Sequence, residues 1–240
     1  MTAPSAIIVG VGASTAQRFA AEGYRVFVAG RTREKLDAVV RHIEAGGGKA
    51  AAVPTDAASE PEVIALFDRA FSGEGGGEPP DAVVYNAGSF LRSDLTELSA
   101  ADFETTWRIN CFGGFLVGRE AARRLLPLGR GTVLFTGASA SLRGKPGFSH
   151  FAAAKAGLRM VAQGMARAYG PKGLHVAHII VDGVIDSPRI RAAAPALVAK
   201  RAPDGLLDAG AIADIYWRIH KEPRSTWTHE LDLRPFDEDF

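Results

Sequence analysis

A glycine-containing run near the start of the chain, Gly10-Val-Gly12-Ala-Ser14-Thr15-Ala16, has residue types and a spacing that suit the binding of a nucleotide. Glycines allow a tight turn in which backbone amides and a helix N-terminus can face a pyrophosphate. The fingerprint G-x-G-x-x-G is incomplete here, because Thr15 stands where the third glycine is expected. The glycines and hydroxyl side chains of this run are predicted to bind the phosphates of a dinucleotide. The alternative is an ordinary turn in which Ser14 or Thr15 caps the helix.

The residues after the second predicted strand bear on the choice of dinucleotide. A fold that prefers NAD(H) usually offers an Asp or Glu to the ribose 2′-hydroxyl at this place. Here the chain has Gly30, followed by Arg31 and Arg33, and guanidinium groups form charge-assisted hydrogen bonds with a 2′-phosphate. NADP(H) is therefore the expected cofactor, ahead of NAD(H). If both arginines only end the strand in solvent, the cofactor choice stays open.

The elements that would position these residues alternate between short β-rich runs and longer amphipathic stretches. Six strands are predicted at residues 6–10, 24–30, 50–53, 82–85, 131–136 and 174–181, with a candidate seventh at 227–231. Helices are predicted up to Glu22 and at 33–44, 60–71, 101–126, 149–169, 189–200 and 209–220. Strands that are apolar on both faces, between helices, are typical of a parallel sheet covered on both sides. The predicted fold class is α/β, a Rossmann-type doubly wound parallel sheet of six or seven strands with helices on both faces.

One dinucleotide-binding domain spanning residues 1–240 is the expected organisation. The stretch 72–80, Ser-Gly-Glu-Gly-Gly-Gly-Glu-Pro-Pro, has the composition of an interdomain linker. It ends immediately before another strand of the same rhythm, and a boundary there would leave a three-strand fragment with an unpaired sheet edge. A surface loop is therefore predicted.

The composition and charge of the chain argue against several classes of function. The chain has 240 residues, with 28 basic and 27 acidic side chains and a net charge of +1, so no long-range field favours nucleic acid or an anionic membrane. Its one cysteine, Cys111, cannot form an intramolecular disulfide. No basic region precedes the first apolar run, and no apolar run has the roughly 18 residues of a membrane span. A cytoplasmic protein without nucleic-acid or membrane partners is expected.

Further signals follow the other predicted strands. Asp56 follows the third strand, Asn86-Ala87-Gly88 the fourth and Gly183 the sixth, while Asn110 lies in the long helix. With the glycine turn, these residues resemble the short-chain dehydrogenase/reductase family over nearly the whole chain. The resemblance implies that Asp56 contacts adenine, that Asn86-Ala87-Gly88 lines the cofactor, and that the Asn110 backbone holds a water in a proton relay. It also places Gly183 under the nicotinamide, although Asp182 replaces the family's proline.

The chain departs from the family at the reacting centre. The family's Tyr-x-x-x-Lys pair is here Phe151-Ala-Ala-Ala-Lys155, so the proton-donating hydroxyl is missing. Residues four apart share a helix face, and Lys155 is expected to reach the nicotinamide ribose. Ala138 stands where the family has its catalytic serine. The chain resembles a subgroup with this combination, in which Asn110 and Lys155 remain of the four active groups.

The sequence leaves several candidates for a proton donor that would replace the missing hydroxyl. Ser139 would enter the site if a one-residue bulge after the fifth strand re-aimed it. His150 lies about 100° around the helix from Phe151 and is expected to be a packing or surface residue. A water ordered by Asn110 and Lys155 is a third route.

Two functions compete. The first is an NADP(H)-dependent oxidoreductase acting on a small carbonyl or alcohol, with a non-standard proton donor; the second is a catalytically inactive NADP(H)-binding sensor or assembly protein on the same fold. The substrate itself cannot be identified from these residues. No metal site is expected, because His175 and His178 should point to opposite faces of a strand, one packed and one exposed. Family members usually pair through the helices equivalent to 101–126 and 149–169, which implies a homodimer or homotetramer.

Overall fold

The computed structural model describes residues 2–10, 12–73 and 76–239. Val11, inside the glycine turn, and Glu74 and Gly75, inside the predicted loop 72–80, lie outside the described residues.

Seven parallel strands form one sheet in the order β3-β2-β1-β4-β5-β6-β7. The strands are β1 (Ser5–Gly10), β2 (Arg25–Gly30), β3 (Lys49–Pro54), β4 (Pro80–Asn86), β5 (Thr132–Ala138), β6 (His175–Val181) and β7 (Glu230–Leu233). This confirms the predicted Rossmann-type sheet, with β7 beginning three residues later than the predicted 227–231. The order reverses between β1 and β4, and ligands of such sheets bind outside the carboxyl ends of the strands at that point.

The helices connect consecutive strands. They are α1 (Ala13–Ala21), α2 (Arg33–Ala45), α3 (Glu60–Phe71), α4 (Ala100–Trp107), α5 (Gly113–Leu125), α6 (Ser149–Tyr169), α7 (Pro188–Ala193), α8 (Pro195–Ala199) and α9 (Ala209–His220). The helix predicted over 189–200 is two short helices, because Pro195 cannot continue the first of them.

The single helix predicted over 101–126 was wrong in one respect. A π-helical turn, Arg108–Phe112, separates α4 from α5. Two side chains bond the carbonyl groups in this region: the Tyr85 hydroxyl donates to Ile109 O, and Asn110 Nδ2 donates to Thr106 O at 3.0 Å. Turns of this kind often occur at functional sites, and this one contains Asn110.

The core consists of one apolar layer on each face of the sheet, since successive strand side chains point to opposite faces. Ile7 and Val9 pack under α3, α5 and α6, whereas Ile8 packs under α1 and α9. The edge strand β3 is less covered than the inner strands. It lies at the sheet edge with its alanines half-buried and Lys49 exposed.

Candidate active site

A cavity of about 230 Å³ lies along the carboxyl ends of β1 and β2. The site residues predicted from sequence that line it are Gly10, Arg31, Asp56, Ala87 and Gly88. The sequence analysis missed several other lining residues, among them Thr32, Lys35, Thr55, Ala57 and Ile109.

The glycine turn is shaped by close backbone approach. Gly10 has a φ of +103°, and a Cβ there would overlap the backbone of Ala87. A Cβ on Gly12 would lie 2.9 Å from Ile8 Cγ2 and 3.3 Å from Asn86 Nδ2. Only glycine fits both positions without displacing the turn after β4. Asn86 therefore packs beneath the turn, while Gly10 and Ala87 reach the cavity.

The side chains of Ser14 and Thr15 do not line this cavity. The N-cap of α1 is Gly12, with no side-chain cap, so the alternative in which Ser14 or Thr15 caps the helix was wrong. Thr15 is buried inside α1. Ser14 lines a separate cleft between α1 and α9, together with Asp208 and Ala211.

Basic side chains mark one end of the cavity. Arg31 is exposed and lines it, as does Lys35 in the first turn of α2. Arg33 instead pairs with Asp37 along the helix, with Nε 3.0 Å from the carboxylate. The sequence signal that would have found Lys35 is a cation four residues after Arg31, at the start of a helix that begins beside the site.

Asp56 borders the cavity after β3 in an ordered turn. Its Oδ1 accepts a hydrogen bond from Ala58 N at 2.9 Å, and its own amide donates to Glu62 Oε2 at 2.7 Å. The carboxylate is thereby held at the cavity wall.

Gly88, Asn110 and Lys155 come together where the cavity ends. A Cβ on Gly88 would lie 3.2 Å from Asn110 Oδ1 and 4.0 Å from Lys155 Nζ. Asn110 Nδ2 donates to Ser89 O at 3.0 Å and so ties the loop after β4 to the π-helical turn. Among the described residues, the buried Asn110 Oδ1 has no hydrogen-bond partner. Residues distant in sequence thus converge on one side-chain-free space above Gly88.

Lys155 is buried, with 5% of its surface exposed. Its Nζ donates to Thr136 O at 2.8 Å and lies 5.7 Å from the centroid of the Phe151 ring. Burial disfavours the ammonium and lowers the pKa of Lys155 to about 8. The side chain can therefore hold or release a proton near neutral pH.

A buried hydrogen-bond chain that the sequence analysis missed lies behind β5. Ser141 Oγ accepts from Ala138 N at 3.2 Å and lies 3.4 Å from His178 Nε2, and His178 Nδ1 lies 3.0 Å from Glu230 Oε2. Arg159 donates two hydrogen bonds of 2.7 Å to Glu230 and lowers the pKa of that carboxyl. The ionised carboxylate accepts from Nδ1–H, which leaves Nε2 to accept from Ser141.

The expectation that one of His175 and His178 is exposed was wrong, because both are buried. Burial lowers the pKa of His178 to about 4 and also lowers that of His175. No group of metal-binding side chains occurs within residues 2–10, 12–73 and 76–239.

Gly183 lies after β6 with a φ of +152°. A Cβ there would lie 2.8 Å from Pro235 Cδ, so the C-terminal segment packs directly over it. The neighbouring Asp182 is buried and accepts a hydrogen bond from Arg143 Nη2 at 3.0 Å. This ion pair joins the loops that follow β5 and β6.

Comparison with known proteins agrees with this geometry. The sequence model described as short chain dehydrogenase matches residues 6–195. The chain belongs to the short-chain dehydrogenase family. It is therefore an oxidoreductase of the short-chain type, a class that works with a nicotinamide cofactor.

This short-chain dehydrogenase is similar to several known proteins. A short-chain dehydrogenase structure from Rhodopseudomonas palustris is 38% identical, with a TM-score of 0.82 and coverage of 97% of this chain and 99% of that one. Cis-4-hydroxycyclohexanecarboxylate dehydrogenase of Sinomonas cyclohexanicum is 32% identical over 82% of this chain and 79% of its own length. Gluconate 5-dehydrogenase of Gluconobacter oxydans is 31% identical over 70% of this chain, and the match spans 64% of that relative.

In this short-chain dehydrogenase, Phe151 lies one helical turn before Lys155 on α6 and carries no hydroxyl. The bulge that would re-aim Ser139 is absent, because β5 pairs with β6 in register through Ala138 and Val181. Ser139 instead begins a 3₁₀ turn, where its carbonyl accepts from Leu142 N at 2.9 Å.

His150, at the start of α6, is fully buried as a packing residue, and neither of its ring nitrogens has a hydrogen-bond partner among the described residues. Within those same residues, the structure contains no helix with the length and apolar character to cross a membrane.

Proposed function

We propose that this short-chain dehydrogenase is an NADP(H)-dependent oxidoreductase that interconverts a small carbonyl compound and its alcohol without a tyrosine proton donor. The observation that supports this is the layout of the cavity. It has Arg31 and Lys35 at one end and Gly88, beside Lys155, at the other.

The residues present fit a nicotinamide dinucleotide. Gly10 lets the turn after β1 pass directly against the backbone of Ala87, and Gly88 leaves free the space beside Asn110 and Lys155 that a Cβ would fill. A glycine turn and an open position of this kind suit close approach of a pyrophosphate and a ribose. Arg31 and Lys35 would hold the 2′-phosphate, and Asp56 would contact the adenine. When bound, the cofactor supplies the hydride donor or acceptor.

The protein's own share is then orientation and proton transfer. Lys155 would bind the nicotinamide ribose from its position beside Gly88, and Gly183 would lie under the nicotinamide. For the substrate oxygen, Lys155 Nζ, with its pKa near 8, and a water ordered with Asn110 are the donors that the geometry favours. Ser139 is not proposed as the substitute donor, because β5 stays in register with β6 through Ala138 and lacks the bulge that would re-aim Ser139.

The cofactor proposal is tested by titrating the purified protein with NADPH and NADH while following fluorescence. We expect NADPH to bind more tightly. Arg31→Ala should weaken NADPH binding by about tenfold or more, since a hydrogen bond to a charged group contributes about 1.5–3 kcal/mol, and should leave NADH binding unchanged. Arg33→Ala is the matched control, because Arg33 is already paired with Asp37. If Arg31→Ala weakened the binding of NADPH and NADH equally, the proposal that Arg31 holds the 2′-phosphate would be contradicted.

A second candidate function is favoured by one observation, the phenyl ring of Phe151 beside Lys155. Loss of the usual hydroxyl suits a protein that binds NADP(H) as a sensor or assembly partner without turnover. A panel of carbonyl compounds assayed with saturating NADPH separates the two proposals. Oxidation of NADPH that depends on the carbonyl supports the enzyme, and tight binding without oxidation supports the sensor.

The chain as a whole is proposed to form one dinucleotide-binding domain, since all seven described strands share one sheet. We propose a homodimer or homotetramer in which α4, α5 and α6 of neighbouring copies pack together. The large apolar side chains exposed on these helices are Phe103, Trp107, Phe115 and Met160. Sedimentation equilibrium should show a mass of two or four chains, and a single-chain mass would contradict the proposal. Cytoplasmic localisation remains a prediction.

A further inference from the structure

Three phenylalanine rings meet where α6 begins. The Phe90 ring, from the loop after β4, lies 5.3 Å from the ring of Phe148, nearly parallel to it, and 5.8 Å from the ring of Phe151, perpendicular to it. Both geometries are favourable for aromatic pairs. We call Phe90, Phe148 and Phe151 the aromatic wall.

The aromatic wall is fixed by the two segments that carry it. Ser93 N donates to Gly147 O at 3.1 Å, and the guanidinium of Arg92 lies 5.9 Å from the Phe148 ring centroid. A Cβ on Gly147, which has a φ of +82°, would lie only 3.3 Å from Arg92 Cγ. The loop after β4 is therefore bound tightly against the start of α6.

Despite these contacts, the aromatic wall keeps a large free apolar surface. Phe90 remains 66% exposed, and Phe148 and Phe151 are half-buried. Covering an exposed phenyl face removes apolar area from water and is favourable. The wall thus offers binding energy to an apolar ligand.

The aromatic wall also adjoins the reacting centre. Phe151 is within 5.7 Å of Lys155 Nζ, and Phe90 is two residues after Gly88, whose open face lies beside Lys155 and Asn110. A ligand that placed its oxygen near Lys155 would lay its carbon skeleton against the rings. Hydroxyl groups pressed on phenyl faces would lose water without gaining hydrogen bonds, which is costly.

We infer that the aromatic wall selects the substrate, and that the substrate is a ketone or secondary alcohol with an apolar carbon skeleton, not a polyhydroxylated sugar or sugar acid. This inference rests on the proposed function, because it takes the space beside Gly88 and Lys155 as the reacting centre. It adds a substrate class, set by residues of this chain outside the nucleotide cavity.

The test compares 1-tetralone, a ketone on a fused apolar ring, with D-fructose, a polyhydroxylated ketone. Binding of each to the protein, with and without NADPH, is measured by calorimetry, and NADPH oxidation is followed in parallel. We expect 1-tetralone to bind at least tenfold more tightly than D-fructose. Phe90→Ala should weaken 1-tetralone binding by about tenfold, as burial of part of a phenyl side chain predicts. It should leave NADPH affinity unchanged.

Leu128→Ala is the control, because Leu128 is also exposed but precedes β5, at the amino ends of the strands, whereas the aromatic wall lies beyond their carboxyl ends. Tighter binding of D-fructose, no binding of 1-tetralone in either condition, or equal 1-tetralone affinity in Phe90→Ala and the unsubstituted protein would overturn the inference. Binding of 1-tetralone through Phe90 in a protein that binds no NADPH would overturn the proposed function and support the aromatic wall. The two failures are therefore distinguishable.

Discussion

Lys155 Nζ lies 5.7 Å from the centroid of the Phe151 ring, one turn away on α6. The ammonium therefore faces a phenyl ring at the place where the resemblance to the short-chain family implies a phenol. The lysine is still fixed by its hydrogen bond to Thr136 O. Lys155 therefore has a fixed position, although Phe151 carries no hydroxyl for its ammonium to act on.

Restoring the hydroxyl should raise activity. Phe151→Tyr keeps the ring and adds a proton donor, a group that typically contributes about 10²- to 10⁴-fold in rate. We expect kcat/KM for reduction of a carbonyl with NADPH to rise by about 10²-fold. Phe151→Leu, which has no hydroxyl, is the control and should show no gain. An unchanged kcat/KM in a Phe151→Tyr protein with an unaltered Tm would argue against the geometry proposed for the site.

Burial of Lys155 should make stability depend on pH in a defined direction. Its pKa is about 8 in the folded protein, below the usual lysine value near 10.4. Between these values the unfolded chain binds more protons than the folded one, so the free energy of unfolding rises with pH, at most by about 1.4 kcal/mol per pH unit. Below pH 8 both states are protonated and the slope vanishes.

Urea unfolding of the unsubstituted protein and of Lys155→Met, from pH 7 to 10, measures this effect. The free energy of unfolding of the unsubstituted protein, minus that of Lys155→Met, should increase as the pH rises above 8. A pH-independent difference would mean that Lys155 is not desolvated.

The approach of Gly137 to His178 predicts a specific packing defect. A Cβ on Gly137 would overlap the His178 ring and lie 3.1 Å from Ser141 Oγ. Gly137→Ala should therefore lower the free energy of unfolding by about 1–3 kcal/mol, as overpacking does. Gly144→Ala is the matched control, since nothing lies within 4 Å of its added Cβ.

The double variant Gly137→Ala/His178→Ala tests the cause. Because His178→Ala removes the overlapping ring, Gly137→Ala should lower the free energy of unfolding by less in this background than in the single variant. The difference is the coupling energy of the double-mutant cycle. Strictly additive losses would place the strain elsewhere.

Removal of the Asn110 amide should loosen the loop that carries Gly88. Asn110→Ala leaves the carbonyl groups of Ser89 and Thr106 without this donor, and we expect a loss of about 1–3 kcal/mol in stability. Thr105→Ala, an exposed change in the adjoining helix α4, should be near neutral. Chemical denaturation of the three proteins provides the comparison, and an Asn110→Ala protein as stable as the control would show that the amide bonds contribute nothing.

The sequence by itself predicted the alternating elements, because strand and helix periodicities and the glycine turn are local properties. The runs that became β1, β2, β4 and β6 and helices α3, α6 and α9 required no information from distant residues. Gly10 and Arg31 were likewise predicted from their positions at strand ends, where ligands of a doubly wound sheet bind, whereas Gly88 was predicted from the resemblance to the family. All three line the cavity.

Only the tertiary structure decided which of those residues meet. It brought Lys35 to the cavity, placed Ser14 in a separate cleft, and buried both His175 and His178. It also split the long helix with a π-helical turn, in which Ile109 O accepts from the Tyr85 hydroxyl and from which the Asn110 amide reaches back to Thr106 O. The aromatic wall joins residues about 60 positions apart. Such contacts depend on side-chain packing between elements, and neither propensity nor spacing along the chain carries that information.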